Sequence, residues 1–82
     1  MKVTVLYFAA LRDLAGRSEE ELTLPDGALS VKELAAQLGS RVPGLAERMT
    51  HVRVARNEAF AEDGDRVCDG DVIALIPPVA GG

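Results

Sequence analysis

Hydrophobic and polar positions alternate from Lys2 to Phe8, with Val3, Val5 and Tyr7 on one side and Thr4, Leu6 and Phe8 on the other. That is the period of a strand, and apolar residues on both sides predict a central place in a sheet. Ala9 to Ala15 reads as a short helical turn closed by Gly16, a residue that accepts the left-handed cap conformation. Ser18 to Leu24 is extended again, with Glu19, Glu21 and Thr23 opposite Glu20, Leu22 and Leu24. Consecutive glutamates predict a solvated edge strand that discourages further pairing, and Pro25-Asp26-Gly27 predicts the turn that ends it.

Ser30-Val31-Lys32-Glu33 is a capping box, in which a hydroxyl and a carboxylate satisfy reciprocal backbone donors. Val31, Leu34, Ala35 and Leu38 then recur at helical spacing, and Gly39 stands where a C-terminal cap is expected. After a loop at Pro43-Gly44, His51 to Arg56 alternates as a third strand with Val52 and Val54 inward. Asp63-Gly64 and Asp69-Gly70 read as hairpin-type turns around a short piece from Arg66 to Cys68. The almost wholly apolar run Val72 to Ile76 predicts a strand buried on both faces, beside the first. Two central strands from opposite ends of the chain, crossed by one main helix, make an α+β, ubiquitin-like β-grasp fold with a mixed sheet. Residues 1–76 are the expected domain and 77–82 a flexible C-terminal tail.

Composition narrows the function by exclusion. The chain has 82 residues, room for one core. A formal charge of -4 with no gathered basic stretch argues against nucleic acid or an anionic membrane as partner and favours basic protein surfaces. No signal peptide or apolar run of membrane-spanning length is visible, and a single cysteine fits a reducing cytoplasm.

Most chemically suggestive residues have a plain structural reading. Cys68 lacks a basic cluster beyond Arg66 and reads as a small buried hydrophobe; His51 lacks companion metal ligands. The acidic stretch Glu62-Asp63-Gly64-Asp65, with Asp69 and Asp71, has Val67 where a calcium loop needs a ligand, so two Asp-Gly turns account for it.

The ending Pro77-Pro78-Val79-Ala80-Gly81-Gly82 resists such a reading. Prolines fix φ and favour an extended path, and six extended residues reach about 20 Å, enough to enter another protein's active site. Val79, Ala80 and Gly81 are small enough to thread a narrow channel, and Gly82 offers an uncrowded carboxyl carbon. An ionised carboxylate is a poor electrophile and needs activation. No glycine-rich phosphate loop is present, so ATP belongs to an activating partner and no bound cofactor is expected. Ordering the tail is costly, so the body must contribute contacts. Phe60, apolar within "NEAFAEDGD", and Ile76, at the root of the tail, are candidates for a partner-binding patch or, equally, for closing the core.

With "VLYFAALRDLAG" at the start, a middle helix and "DGDVIALIPPVAGG" at the end, the whole chain resembles the MoaD family, the small sulfur-carrying subunits of molybdopterin synthase. It departs mildly from the family at Cys68, where an aliphatic residue is usual. The resemblance implies that Gly82 is adenylated by an E1-like adenylyltransferase (MoeB type) using ATP and converted to a thiocarboxylate. The tail, with Pro77 and Pro78 at its root, would then enter a large subunit (MoaE type) in a heterotetramer and give sulfur to cyclic pyranopterin monophosphate. The chain alone would not be catalytic. Rival expectations are a sulfur carrier for thiamine or tRNA thiolation and a ubiquitin-like protein modifier.

Overall fold

The computed structural model describes residues 1–25, 27 and 29–78. Its strands are β1 (Lys2–Tyr7), β2 (Glu19–Thr23), β3 (Leu29–Ser30), β4 (Arg53–Arg56), β5 (Ala59–Phe60), β6 (Arg66–Val67) and β7 (Val72–Ile76). The helices are α1 (Ala10–Ala15), α2 (Val31–Arg41) and α3 (Leu45–Arg48), and a 3₁₀ turn at Met49–His51 follows α3. The main sheet has the order β2-β1-β7-β4-β5, and β3 pairs with β6 in a two-stranded ribbon. β1 and β7 run parallel through the middle, while β2 and β4 flank them antiparallel.

Local chemistry explains the elements. Ser30 Oγ accepts from the Glu33 N–H and Glu33 Oε1 accepts from the Ser30 N–H, each at 3.1 Å, which completes the capping box that starts α2. Gly16 closes α1 with φ 76°, and its N–H donates to the Arg12 carbonyl. The glutamate-rich β2 lies at the sheet's edge, where its outward carboxylates stay in water.

One face of the sheet supports the core. Val3, Val5 and Tyr7 of β1 and Ile73 and Leu75 of β7 meet Val31, Leu34 and Leu38 of α2, with Leu11, Leu22, Leu45 and Val67 closing the sides. Among the described residues, no helix is long and apolar enough to cross a membrane.

Four sequence expectations are corrected. Gly39 is not a cap: α2 continues to Arg41, and Gly39 instead lets α3 approach, since a Cβ there would stand 3.3 Å from the Ala46 Cα and Cβ. The third strand begins at Arg53, because His51 belongs to the 3₁₀ turn and is exposed. Cys68 is exposed: Val67 takes the inward place in β6, and the next residue of an extended chain points away. Finally, β7 is buried on one face only, as Val72 is exposed and Ala74 and Ile76 are half-covered. Asp26 of the expected turn and Val79, Ala80, Gly81 and Gly82 of the tail lie outside the described residues.

Candidate functional site: the outer face of the sheet and the root of the tail

Side chains alternate along a strand, so the residues between the core positions of β1 and β7 must meet on the opposite face. There Leu6, Phe8, Val72, Ala74 and Ile76 join Ala55 and Phe60 around an open groove of about 570 Å³. Phe60 is 60% exposed and Phe8 46%. Among the described residues, the exposed large apolar side chains Phe8, Phe60 and Val72 all stand here, which makes this gathering a feature rather than background.

Phe60 reaches the groove through a tight hairpin. Asn57 and Glu58 both adopt positive φ, 51° and 70°, the conformation a two-residue turn needs to match strand twist. The turn is tied to β7 by its own amide: Asn57 Nδ2 donates to Asp71 Oδ1 and Asn57 Oδ1 accepts from the Val72 N–H, both at 2.9 Å. Asp71, 6% exposed, also accepts from the Cys68 N–H at 2.7 Å and lies 3.5 Å from the Arg56 guanidinium. Burial pushes its carboxyl pKa up, but the Asn57 amide, the Cys68 N–H and Arg56 outweigh that and hold it below the ordinary value. Two further carboxylates near the turns are also spent on backbone: Asp65 Oδ2 accepts from the Glu62 N–H and Asp69 Oδ1 from the Lys2 N–H.

At the other end of β4, Arg53 is the register partner of Ile76, the last residue of β7. Its guanidinium lies over the Phe60 ring, 3.7 Å from the centroid. Pro77 and Pro78 fall outside the groove. They line a smaller hollow of about 200 Å³ with Leu11, Glu47, Arg48, His51 and Val52, so that helix and 3₁₀ turn brace the start of the tail.

On the inner side, Glu20 makes a separate polar brace. It accepts from the Tyr7 hydroxyl at 3.0 Å, and Arg17 and Arg41 both reach its other oxygen at 3.3 Å. Burial, then the bond to Glu20, push the Tyr7 pKa up to about 12. This cluster joins β1, β2 and the end of α2, and its groups are already committed to one another.

The structure therefore brings Phe60 and Ile76 to one groove, sets Pro77 and Pro78 beside it, and excludes the core reading of Phe60. Sequence reasoning missed Leu6, Phe8, Val72, Ala74 and Arg53 as members of this surface. Their signal is present as apolar residues on both faces of β1 and β7, a pattern that predicts a central place for β1 and two-sided burial for β7.

Parallel first and last strands at the centre, a capped helix across one face and a chain leaving from a central strand define a ubiquitin-like β-grasp protein. The chain belongs to the ThiS family, whose family model matches residues 5–82. It is 38% identical to the molybdopterin synthase sulfur carrier subunit of Chlamydomonas reinhardtii, with each chain covered in full. Among solved structures it is similar to SAMP1 from Haloferax volcanii (TM-score 0.87, 30% identity, full coverage of both chains). It is also similar to a chain in the complex of subunits 1 and 2 of molybdopterin-converting factor from Helicobacter pylori (TM-score 0.72, 30% identity, full coverage of both).

Proposed function

We propose that the chain is a sulfur carrier subunit of molybdopterin synthase, working through the carboxyl group of Gly82 and docking through the outer face of its sheet. The observation that carries this reading is the groove around Phe60 and Ile76, an uncovered apolar surface that runs to the root of the tail. Full-length similarity to named sulfur carrier subunits, and to one partner of a two-subunit complex, supports it.

The division of labour follows from the chemistry. A carboxylate resists attack, so an E1-like partner transfers AMP from ATP to Gly82 and releases pyrophosphate. The terminal sulfur of a persulfide displaces AMP at the carbonyl carbon, and a thiol cleaves the remaining S–S bond to free the thiocarboxylate. The tail, threaded as Val79, Ala80 and Gly81, delivers that sulfur in the large subunit, where cyclic pyranopterin monophosphate accepts it. A dithiolene needs two sulfurs, so two carriers are spent for each product. In this reading residues 1–76 are the docking domain, residues 77–82 the delivery arm, and the assembly a cytoplasmic heterotetramer.

Incubated with the cognate E1-like enzyme, ATP and a sulfur donor, the chain should gain the mass of one sulfur in place of one oxygen. Deleting Gly82, or adding an alanine after it, should abolish that gain; the same product from either variant refutes the reading. A protein modifier is the second reading, because SAMP1, whose name denotes a small archaeal modifier protein, matches the fold with a TM-score of 0.87. A stable lysine isopeptide as the sole product would select it.

A further inference from the structure

The docking groove is apolar along its length but charged at its ends, and the two ends differ in sign. Glu58 lines one end, at the hairpin turn. Arg53 marks the other, opposite Ile76 where the tail begins. Three residue steps, about 10 Å of strand, carry the chain from Arg53 to Arg56, where the turn starts.

Arg53 is presented rather than consumed. Arg56 is engaged by Asp71, Arg17 and Arg41 by Glu20, and Lys2 by Glu21; other cations are likewise unpaired among the described residues, but Arg53 is the one set over Phe60 at the groove. Among the described residues Arg53 makes no ion pair, although its side chain is fixed by stacking on Phe60. A guanidinium restrained by an aromatic ring has less rotamer entropy left to lose when a carboxylate arrives. Glu58 stands at the second position of the hairpin turn. Its φ of 70° is a conformation that favours glycine, yet a charged residue occupies it at the rim of the groove.

We infer that the protein receiving the tail presents a carboxylate to Arg53 and a basic side chain to Glu58, so that charge fixes the orientation in which the groove is covered. This rests on the sulfur-carrier reading and refines its partner. Net charge alone points to a basic partner surface; the local arrangement reverses that sign at the tail. Orientation matters because a partner docked the other way round would have its channel at the hairpin end, away from Ile76, where the tail begins. Opposite charges at two ends of an apolar strip disfavour that reversed pose by placing like charges together.

The test is binding of the cognate large subunit at low and high salt by wild type, Arg53→Gln, Arg53→Glu and Glu58→Gln, with thermal melts confirming that each variant is folded. Arg53→Gln keeps a planar group over Phe60 without the charge, and should weaken binding about tenfold and reduce its salt dependence. Arg53→Glu should weaken it further, by about a hundredfold, and Glu58→Gln by about threefold. Binding of Arg53→Glu within twofold of wild type, or tighter, overturns the inference. So does an Arg53→Gln loss equal to that of Arg53→Glu with unchanged salt dependence, because stacking alone would then explain the residue. A wild-type chain that does not bind the large subunit at all refutes the sulfur-carrier reading and this inference with it.

Discussion

The two faces of the sheet are made from the same strands and largely from the same kinds of residue, yet they end in different environments. On the inner face Val3, Val5, Tyr7, Ile73 and Leu75 are buried beneath α2. On the outer face Leu6, Phe8, Val72, Ala74 and Ile76 alternate with them, joined by Phe60, and nothing in the chain's described residues covers the groove they line. The inner face holds the domain together; the outer face leaves apolar surface exposed, which the proposed function assigns to association. Covering a side chain such as Phe60 is worth about 1.5–3 kcal/mol, whether the cover is the chain's own helix or another protein.

The comparison can be broken most severely from inside. Leu75→Ala removes a fully buried side chain from the middle of β7 and should cost about 2–5 kcal/mol, measured by urea denaturation. In a domain this small that is a large part of the total stability. Partner binding should then fail only in proportion to unfolding.

The mirror experiment is Phe60→Asp, on the exposed face. It should weaken binding to the large subunit about a hundredfold, the loss expected for a central aromatic contact. The unfolding free energy should stay within about 0.5 kcal/mol of wild type, as for other surface changes. Equal loss of stability in both variants would erase the distinction between the faces.

A smaller effect sharpens the link between them. Asp71 ties the hairpin that carries Phe60 to the start of β7, and its folded pKa lies below its unfolded value. A depressed carboxyl pKa adds stability that is present above the unfolded value, near pH 4, and lost as pH falls through the folded value. Wild type should therefore lose stability in that acid window more steeply than Asp71→Asn. Parallel pH profiles would show that the carboxylate does not brace the turn.

What the sequence made legible follows the strength of each local signal. The capping box at Ser30 and Glu33, the edge character of β2 and the pairing of β1 with β7 all rest on short-range chemistry or on patterns several residues long. The helix α3, between Pro43 and His51, was not legible because four residues cannot display a helical stripe. β5, two residues long, was hidden for the same reason, and with it the exposure of Phe60. Gly39 read as a cap because a glycine needed for close approach of two helices looks, in one dimension, like a glycine needed for a turn. The outer face was misread for a deeper reason: an apolar residue records that water is to be excluded from it, not which molecule excludes the water. Arg53 carried no signal at all, since its position over Phe60 depends on pairing between β4 and β5.

The central claim is that this face and the tail act together to deliver sulfur, and molybdopterin formation measures it directly. Wild type and Phe60→Asp, each carrying a thiocarboxylate at Gly82, would be mixed with the large subunit and cyclic pyranopterin monophosphate, and product counted per carrier consumed. The account expects product from wild type with two carriers spent for each molybdopterin, and almost none from the folded Phe60→Asp variant at the same concentration. Equal product from both would contradict it.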